Sequence, residues 1–114
     1  MTRSKTSLLQ GTLDLIVLQL LRVEPTNGYD LTLRIQAISK DVLNVNAGSL
    51  YPALYRLEAK GWIAASWETS DKGKRARYYR ITALGRKQLA SERSKWDAFA
   101  RAMRLLLQPG EDAR

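Results

Sequence analysis

Residues 46–82 read NAGSLYPALYRLEAKGWIAASWETSDKGKRARYYRIT, and the order of patterns within them decides the fold. An apolar stripe at helical spacing comes first, and Gly61 stands where such a helix can end in the left-handed conformation. From Ile63 onward apolar and polar residues alternate, as in a half-buried strand. The stretch therefore predicts a helix followed at once by a strand. The helical stripe consists of Leu50, Leu54 and Leu57.

A hairpin follows the first strand. Ser70-Asp71-Lys72-Gly73 is a turn signal, and in the return strand Tyr79 and Ile81 are expected to face the core. Helix, strand, basic turn and strand, in this order, are typical of a winged helix-turn-helix. We predict a mainly α protein with a small β-hairpin (α+β), in which the winged helix-turn-helix is followed by a long C-terminal helix.

Two helices are predicted before this stretch. The first is expected to begin at Gly11, with Thr12 as its cap, and to end before Pro25, because the residue before proline disfavours helical geometry. The second is expected to begin at Asn27, whose side chain can bond the amide of Asp30. Its predicted buried face is Leu31, Ile35 and Ile38, with Tyr29 packed at its entrance.

The third helix has two possible starts, Asn46 and Ser49. Pro52 has no amide proton, which is harmless in a first turn but costs about 3 kcal/mol in a helix interior. This favours a start near Ser49, or an irregular first turn from Asn46. The predicted organisation is a flexible basic arm (1–9), a winged helix-turn-helix DNA-binding domain (10–82), a dimerisation helix (83–107) and a tail (108–114).

The positive charge of the chain lies in its second half. Residues 1–71 contain seven Lys or Arg and seven Asp or Glu, whereas residues 72–104 contain eleven basic residues and two acidic ones. The positive field thus begins at the turn of the hairpin and continues along the last helix. A localised field of this kind attracts polyanions, although a merely solvated surface is the simpler interpretation of charge alone.

Composition argues against several classes of protein. There is no His and no Cys in the 114 residues, so an imidazole base, a thiolate and a typical zinc site are excluded. No glycine-rich phosphate loop and no apolar run of about 20 residues occurs. We expect no enzyme, no cofactor, no metal site, no membrane association and a cytoplasmic location.

The last helix carries an apolar seam. Thr82 is expected to cap it, and large apolar residues then recur at heptad spacing to about Leu107. The seam can pack back on its own domain or on a second subunit, and we predict a homodimer. Trp96 and Phe99 also form a candidate site for a small aromatic effector, although plain interface packing explains the same pattern. The predicted dimer interface is Leu89, Trp96, Phe99, Met103 and Leu106.

Double-stranded DNA is the predicted partner of the third helix and the hairpin. Side chains opposite the leucine stripe are expected to enter a groove, with Tyr51 alternatively half-buried against the wing. Arg56 in particular can bond guanine bidentately or hold a phosphate. The wing cations are expected to hold phosphates and to carry little sequence information. The predicted DNA-binding residues are Ser49, Tyr51, Pro52, Tyr55 and Arg56 on the helix and Lys72, Lys74, Arg75 and Arg77 on the wing.

Several short motifs together resemble the PadR family of transcriptional regulators. GYDL at 28–31 resembles the family's pattern in the second helix, and GSLYPAL at 48–54 resembles that of the recognition helix. RLE at 56–58 with Gly61, RYYRIT at 77–82 with Gly85, and LQGTLD at 9–14 add further matches. In this order and spacing they cover about residues 8–107.

The resemblance implies a homodimeric winged-helix DNA-binding protein, usually a repressor, that dimerises through its C-terminal helix. It also implies that a small aromatic or cationic compound releases DNA in some relatives. An RNA-binding or protein-interaction winged helix remains the alternative, because exposed tyrosines can also stack on single-stranded bases.

Overall fold

The computed structural model describes residues 2–108 and the side chains of residues 11–108. Four helices and a small antiparallel sheet form a winged helix with a C-terminal helix, as predicted. The elements are α1 (Thr2–Val23), β1 (Thr26–Asn27), α2 (Gly28–Ile38), α3 (Ala47–Ala59), β2 (Ile63–Thr69), β3 (Arg75–Ile81) and α4 (Ala83–Leu107).

The sheet has one more strand than the sequence predicts. Strand order is β1-β3-β2, and β1 pairs Thr26 with Tyr79 and Asn27 with Tyr78. A strand of two residues is too short to show alternation, so the pattern could not reveal it. Its consequence is structural: the start of α2 is bonded directly to the wing.

The core lies where α1, α2 and α3 meet the inner face of β3. Leu31 and Ile35 are buried there as predicted, and so are Tyr79 and Ile81. The predicted leucine stripe of α3 is also confirmed, because Leu50, Leu54 and Leu57 are fully buried. Ile38 and Tyr29 were wrongly predicted as packed residues, since both are exposed. Each lies at an end of α2.

α1 is longer than predicted. It begins at Thr2 rather than Gly11, so residues 2–9, expected as a flexible arm, are helical, and Thr12 lies inside the helix rather than at its cap. A single glycine in a helix costs about 1 kcal/mol relative to alanine, which does not by itself stop a helix. α1 ends at Val23, before Pro25, as predicted. Residues 109–114, most of the predicted tail, lie outside the described residues.

α3 begins at Ala47, so the start near Ser49 is wrong and the alternative at Asn46 is correct. The Asn46 side chain accepts a hydrogen bond of 3.0 Å from the amide of Ser49. Pro52 is therefore inside the helix. It is exposed and lies in the second turn, where its missing amide removes only the bond to the carbonyl of Gly48.

The end of α3 and the start of α4 meet in one junction. Gly61, with φ of 75°, donates to the carbonyl of Glu58, and Trp62 donates to that of Leu57, which closes α3 in a Schellman motif. The Thr82 amide donates to the Trp62 carbonyl at 3.0 Å. The Thr82 hydroxyl donates to Gly61 at 2.7 Å and accepts from the amide of Gly85 at 3.0 Å. The same threonine thus caps α4, as predicted, and fastens it to the end of α3.

A charged contact joins α1 to α3. The Arg56 guanidinium donates to the Asp14 carboxylate at 2.8 Å, and both groups are largely shielded from solvent. Burial raises the pKa of the Asp14 carboxyl above its ordinary value of 3.8, against the lowering by its hydrogen bond to Arg56 and the positive charges of Arg56 and Lys60. The ion pair therefore offsets only part of the cost of burying the carboxylate.

We expect Gly85→Ala to destabilise the protein by about 3 kcal/mol. A Cβ at this position would overlap the backbone carbonyl of Trp62 and lie 2.8 Å from Ile81, so the junction must open. Urea unfolding measures the loss. Gly11→Ala is the matched control: it meets nothing within 4 Å and should stabilise α1 by about 0.5–1 kcal/mol. Equal stability of the two variants would contradict this account of the junction.

Arg56→Met should lower the free energy of unfolding by about 1–3 kcal/mol at pH 7, because it leaves the Asp14 carboxylate buried without its partner. Because the pKa of Asp14 is raised in the folded state, the folded state binds this proton more tightly than the unfolded state does. The free energy of unfolding therefore falls as pH rises from 3.8 to the raised pKa of the folded state. In the variant this window extends to higher pH, and the loss should shrink as pH approaches 4.

Denaturant titrations between pH 4 and pH 8 measure this dependence. Lys95→Met, which removes a surface pair of 3.8 Å with Glu92, is the control and should change little. A loss for Arg56→Met that is independent of pH would mean that Arg56 acts through packing alone.

Candidate nucleic-acid interface

One face of α3 is open to solvent. Ser49, Tyr51, Pro52 and Tyr55 are exposed on it, opposite the buried leucine stripe. Tyr55 is the most open, at 72% exposure, whereas Tyr51 is about half-exposed at 46%. Four of the five side chains expected on this face are therefore exposed together. Hydroxyl groups and aromatic edges on one helix face suit contacts with base edges and sugars.

Arg56 does not belong to this displayed face. We expected its guanidinium to be available to a guanine or a phosphate, but it is paired with Asp14 of α1. The partner lies 42 residues earlier in the sequence, and so no local pattern could identify it. Arg56 is placed to fix α3 on α1 rather than to bind a ligand.

The wing presents three cations. In the turn, the Ser70 amide donates to Lys74 at 2.8 Å, and Gly73 adopts a φ of 80°. Lys72, Lys74 and Arg75 are exposed, and no carboxylate of residues 11–108 lies within ion-pairing distance of them. These side chains are therefore available to phosphates.

Arg77 departs from the expectation for the wing. Its guanidinium donates to the Glu58 carboxylate of α3 at 2.9 Å. The pair bridges α3 and β3, so the charge of Arg77 is balanced inside the protein. Of the four wing cations predicted to bind DNA, the three at the tip therefore keep no carboxylate partner among residues 11–108.

A cleft of about 400 Å³ separates α3 from the wing. Its four exposed aromatic residues come from three elements: Tyr29 from α2, Tyr51 and Tyr55 from α3, and Trp67 from β2. We name this surface the aromatic cleft. Its other lining residues are Asn27, Gly28, Ala76, Arg77 and Tyr79.

Tyr29 and Trp67 line this cleft but were not predicted as site residues from the sequence. Trp67 continues the core-facing alternation of Ile63 and Ala65, yet it is 61% exposed because β2 extends beyond the helices. The position of Trp67 close to the predicted turn at Ser70 was the signal in the sequence that it could be exposed. The Arg75 guanidinium lies over the Trp67 ring, 5.6 Å from its centre, which is a cation–π arrangement.

The second half of α4 leaves the domain. Trp96, Phe99 and Leu106 are exposed and Met103 is partly so, and the rings of Trp96 and Phe99 are 5.8 Å apart. Leu89, also predicted at the dimer interface, is instead buried in the core of its own chain. Its position two turns from Thr82 places it over α1, which α4 crosses there.

A groove of about 390 Å³ runs beside Trp96, between α4 and the helices α1 and α2. Apolar residues form most of it, and Arg93 and Asp97 stand at its edge. The candidate effector residue Trp96 therefore borders a real concavity, whereas Phe99 is not part of its lining.

Within residues 2–108, no group of three or more acidic, His or Cys side chains is placed to hold a metal ion. No helix in this range has the length and apolar character to cross a membrane.

Known structures share this architecture. A transcriptional regulator from Clostridium thermocellum has a TM-score of 0.81 at 26% identity, over 90% of this chain and 99% of that one. A PadR-like transcriptional regulator from Bacillus cereus has a TM-score of 0.77 at 28% identity, over 90% and 97%. A PadR family transcriptional regulator from Eggerthella lenta has a TM-score of 0.72 at 31% identity, over 94% and 92%.

Two proteins are similar to this chain in sequence. An uncharacterised protein of Lysinibacillus sphaericus is 33% identical over 93 residues, which are 81% of this chain and 84% of the relative. A transcriptional regulator of Mycobacterium tuberculosis is 38% identical over 66 residues, which are 58% of this chain and 61% of the relative. The profile of the transcriptional regulator PadR-like family matches residues 17–91, which span α2, α3, the wing and the start of α4. With that match over most of its length, and with the winged helix in place, this chain belongs to the PadR-like family of transcriptional regulators, whose work is DNA-binding regulation.

Proposed function

We propose that the protein is a cytoplasmic, non-catalytic repressor that binds a pseudo-palindromic operator as a homodimer. The observation that carries the proposal is the exposed face of α3 together with three cations at the tip of the wing that pair with no carboxylate of residues 11–108. A groove-reading helix and a phosphate-holding hairpin are the two parts that a winged helix needs for duplex DNA.

On α3, base contacts are assigned to Ser49, Tyr51, Pro52 and Tyr55. These residues share the exposed face, and hydroxyls can donate to or accept from base edges in the major groove. Arg56 is withdrawn from this group because of its ion pair. On the wing, Lys72, Lys74 and Arg75 hold phosphates, and Arg77 positions the hairpin against α3.

The dimer is assigned to the second half of α4. Large exposed apolar side chains on a helix that has left its domain are expected to pack on a partner. Two copies joined there would place their α3 helices on successive major grooves, about 34–36 Å apart. A palindromic operator follows from the twofold axis of such a dimer.

The groove beside Trp96 supports a site for a flat aromatic effector in the dimer. Such a compound releases DNA only if it binds one arrangement of the two subunits better than the other. The effector then controls binding to the operator from the dimer interface rather than from the DNA-binding face.

Binding to DNA upstream of the protein's own gene, with random duplex and single-stranded DNA as competitors, tests the function. We expect selective binding to the duplex that falls steeply with salt. Arg75→Ala should weaken binding to operator and random duplex alike and reduce the log–log salt slope by about 0.9, because one phosphate contact is lost.

Arg75→Lys is the matched control, since it keeps the charge and should keep the slope. Single-stranded DNA or RNA that displaces the operator as well as duplex does would refute duplex readout. A salt slope that is unchanged in Arg75→Ala would remove Arg75 from the phosphate contacts.

The double variant Trp96→Ala/Phe99→Ala should shift the protein from dimer toward monomer in sedimentation experiments. Both side chains are 44% exposed in the single chain, so their removal opens no cavity in its core. Leu105→Ala is the matched control, because Leu105 is exposed on the same helix but lies off the seam. A double variant that sediments as the wild type would mean that α4 does not form the dimer through this seam.

A further inference from the structure

The aromatic cleft is an unusual surface for a small basic protein. Tyr29, Tyr51, Tyr55 and Trp67 are all between 46% and 72% exposed, yet they come from three different elements and border a single concavity. Exposed aromatic residues that gather in this way mark a binding surface more often than scattered ones do. Neither base readout by α3 nor phosphate binding by the wing tip explains why Tyr29 and Trp67 are exposed in this cleft.

We propose that this cleft holds the sugar–phosphate backbone of the DNA strand that passes between α3 and the wing, with Trp67 and Tyr29 as positioning residues. The proposal rests on the proposed function, because it assumes that α3 enters a major groove. It adds a contact that depends on apolar packing rather than on charge.

The position of the aromatic cleft between α3 and the wing indicates that the DNA backbone occupies it. If α3 lies in the major groove and the wing touches the duplex beside that groove, the strand that borders the groove must cross the space between them. That space is the aromatic cleft, which is bounded by α3 on one side and by β2 and β3 on the other. Backbone contacts of this kind fix the register of a protein on DNA.

The chemistry of the cleft suits a chain of alternating phosphates and sugars. Its lining contains no Asp or Glu, and the nearby Glu58 carboxylate is neutralised by Arg77 at 2.9 Å. The Tyr79 hydroxyl, whose pKa burial raises above its ordinary value of 10.0, also adds no negative charge at neutral pH. Phosphates can meet the wing cations and the tyrosine hydroxyls, while the apolar faces of the deoxyriboses can lie on the aromatic rings.

Two contacts hold the walls of the cleft in place. The Tyr51 ring packs against Gly28 so closely that a Cβ there would lie 2.6 Å from the Tyr51 hydroxyl. On the opposite wall, the Arg75 guanidinium covers the Trp67 ring. The indole thereby sets the position of a wing cation and also presents apolar surface to the cleft.

Trp67→Ala tests the proposal in the full-length protein, with a selected operator and a random duplex, each titrated over a salt series. We expect the affinity for both duplexes to fall about tenfold, which is about 1.4 kcal/mol, with an unchanged salt slope. Trp67→Phe keeps an aromatic ring and should restore most of the affinity. Leu84→Ala, which removes an exposed apolar side chain outside the cleft, should bind as the wild type.

Each other outcome overturns the proposal in a distinct way. Wild-type affinity in Trp67→Ala would leave the cleft to another occupant, such as a small aromatic molecule. A reduced salt slope would mean that Trp67 acts only through Arg75, and a loss confined to the operator would make it a base-reading residue. Failure of the wild type to bind duplex would instead refute the proposed function itself.

Tyr29→Ala is a second variant in case Trp67→Ala folds poorly. Tyr29 is 67% exposed and lies on α2 rather than on the hairpin, so its removal leaves the pairing of β2 with β3 and the Arg75–Trp67 contact in place. The same tenfold loss with an unchanged salt slope is expected, and an unaltered affinity would remove Tyr29 from the contact.

Discussion

The rest of the structure depends on the close approach of Gly85 to the carbonyl of Trp62. Because Gly85 has no side chain, α4 can begin against the end of α3, where Thr82 bonds both Gly61 and Trp62. This junction fixes where the recognition helix stops, where the wing begins and where α4 leaves the domain. One short set of contacts therefore relates the exposed face of α3 to the helix for which we propose dimerisation.

Two ion pairs then hold the recognition helix from opposite sides. Arg56 fixes it to Asp14 of α1, and Glu58 fixes it to Arg77 of the wing. Both arginines look like DNA ligands when the sequence is taken alone. Because both are held in ion pairs, the wing cations predicted to bind DNA that keep no carboxylate partner in residues 11–108 lie at the tip. Aromatic side chains line the space behind that tip. In the proposed interface, groove contact, charge and apolar packing are assigned to different elements.

Local signals predicted most of the fold, and long-range contacts account for what was missed. The caps at Asn27 and Thr82 were correctly predicted because each bonds an amide three residues away. The partner of Arg56 was not predictable, since only the packing of α1 on α3 brings Asp14 near it. The exposure of Trp67 was equally hidden, because strand alternation does not tell where the helical layer beneath a strand ends. Of the residues predicted to bind DNA, Arg56 and Arg77 are paired with carboxylates of the same chain, and the exposed face of α3 and the tip of the wing remain a proposal.

The most direct test of the account is hydroxyl-radical footprinting on an operator selected from a random pool of duplexes. A dimer that places α3 in successive major grooves should protect two segments on each strand, with centres about 10 base pairs apart and twofold symmetry. A single protected segment, or protection at random positions, would contradict the arrangement in which α3 and the wing of two subunits read one operator.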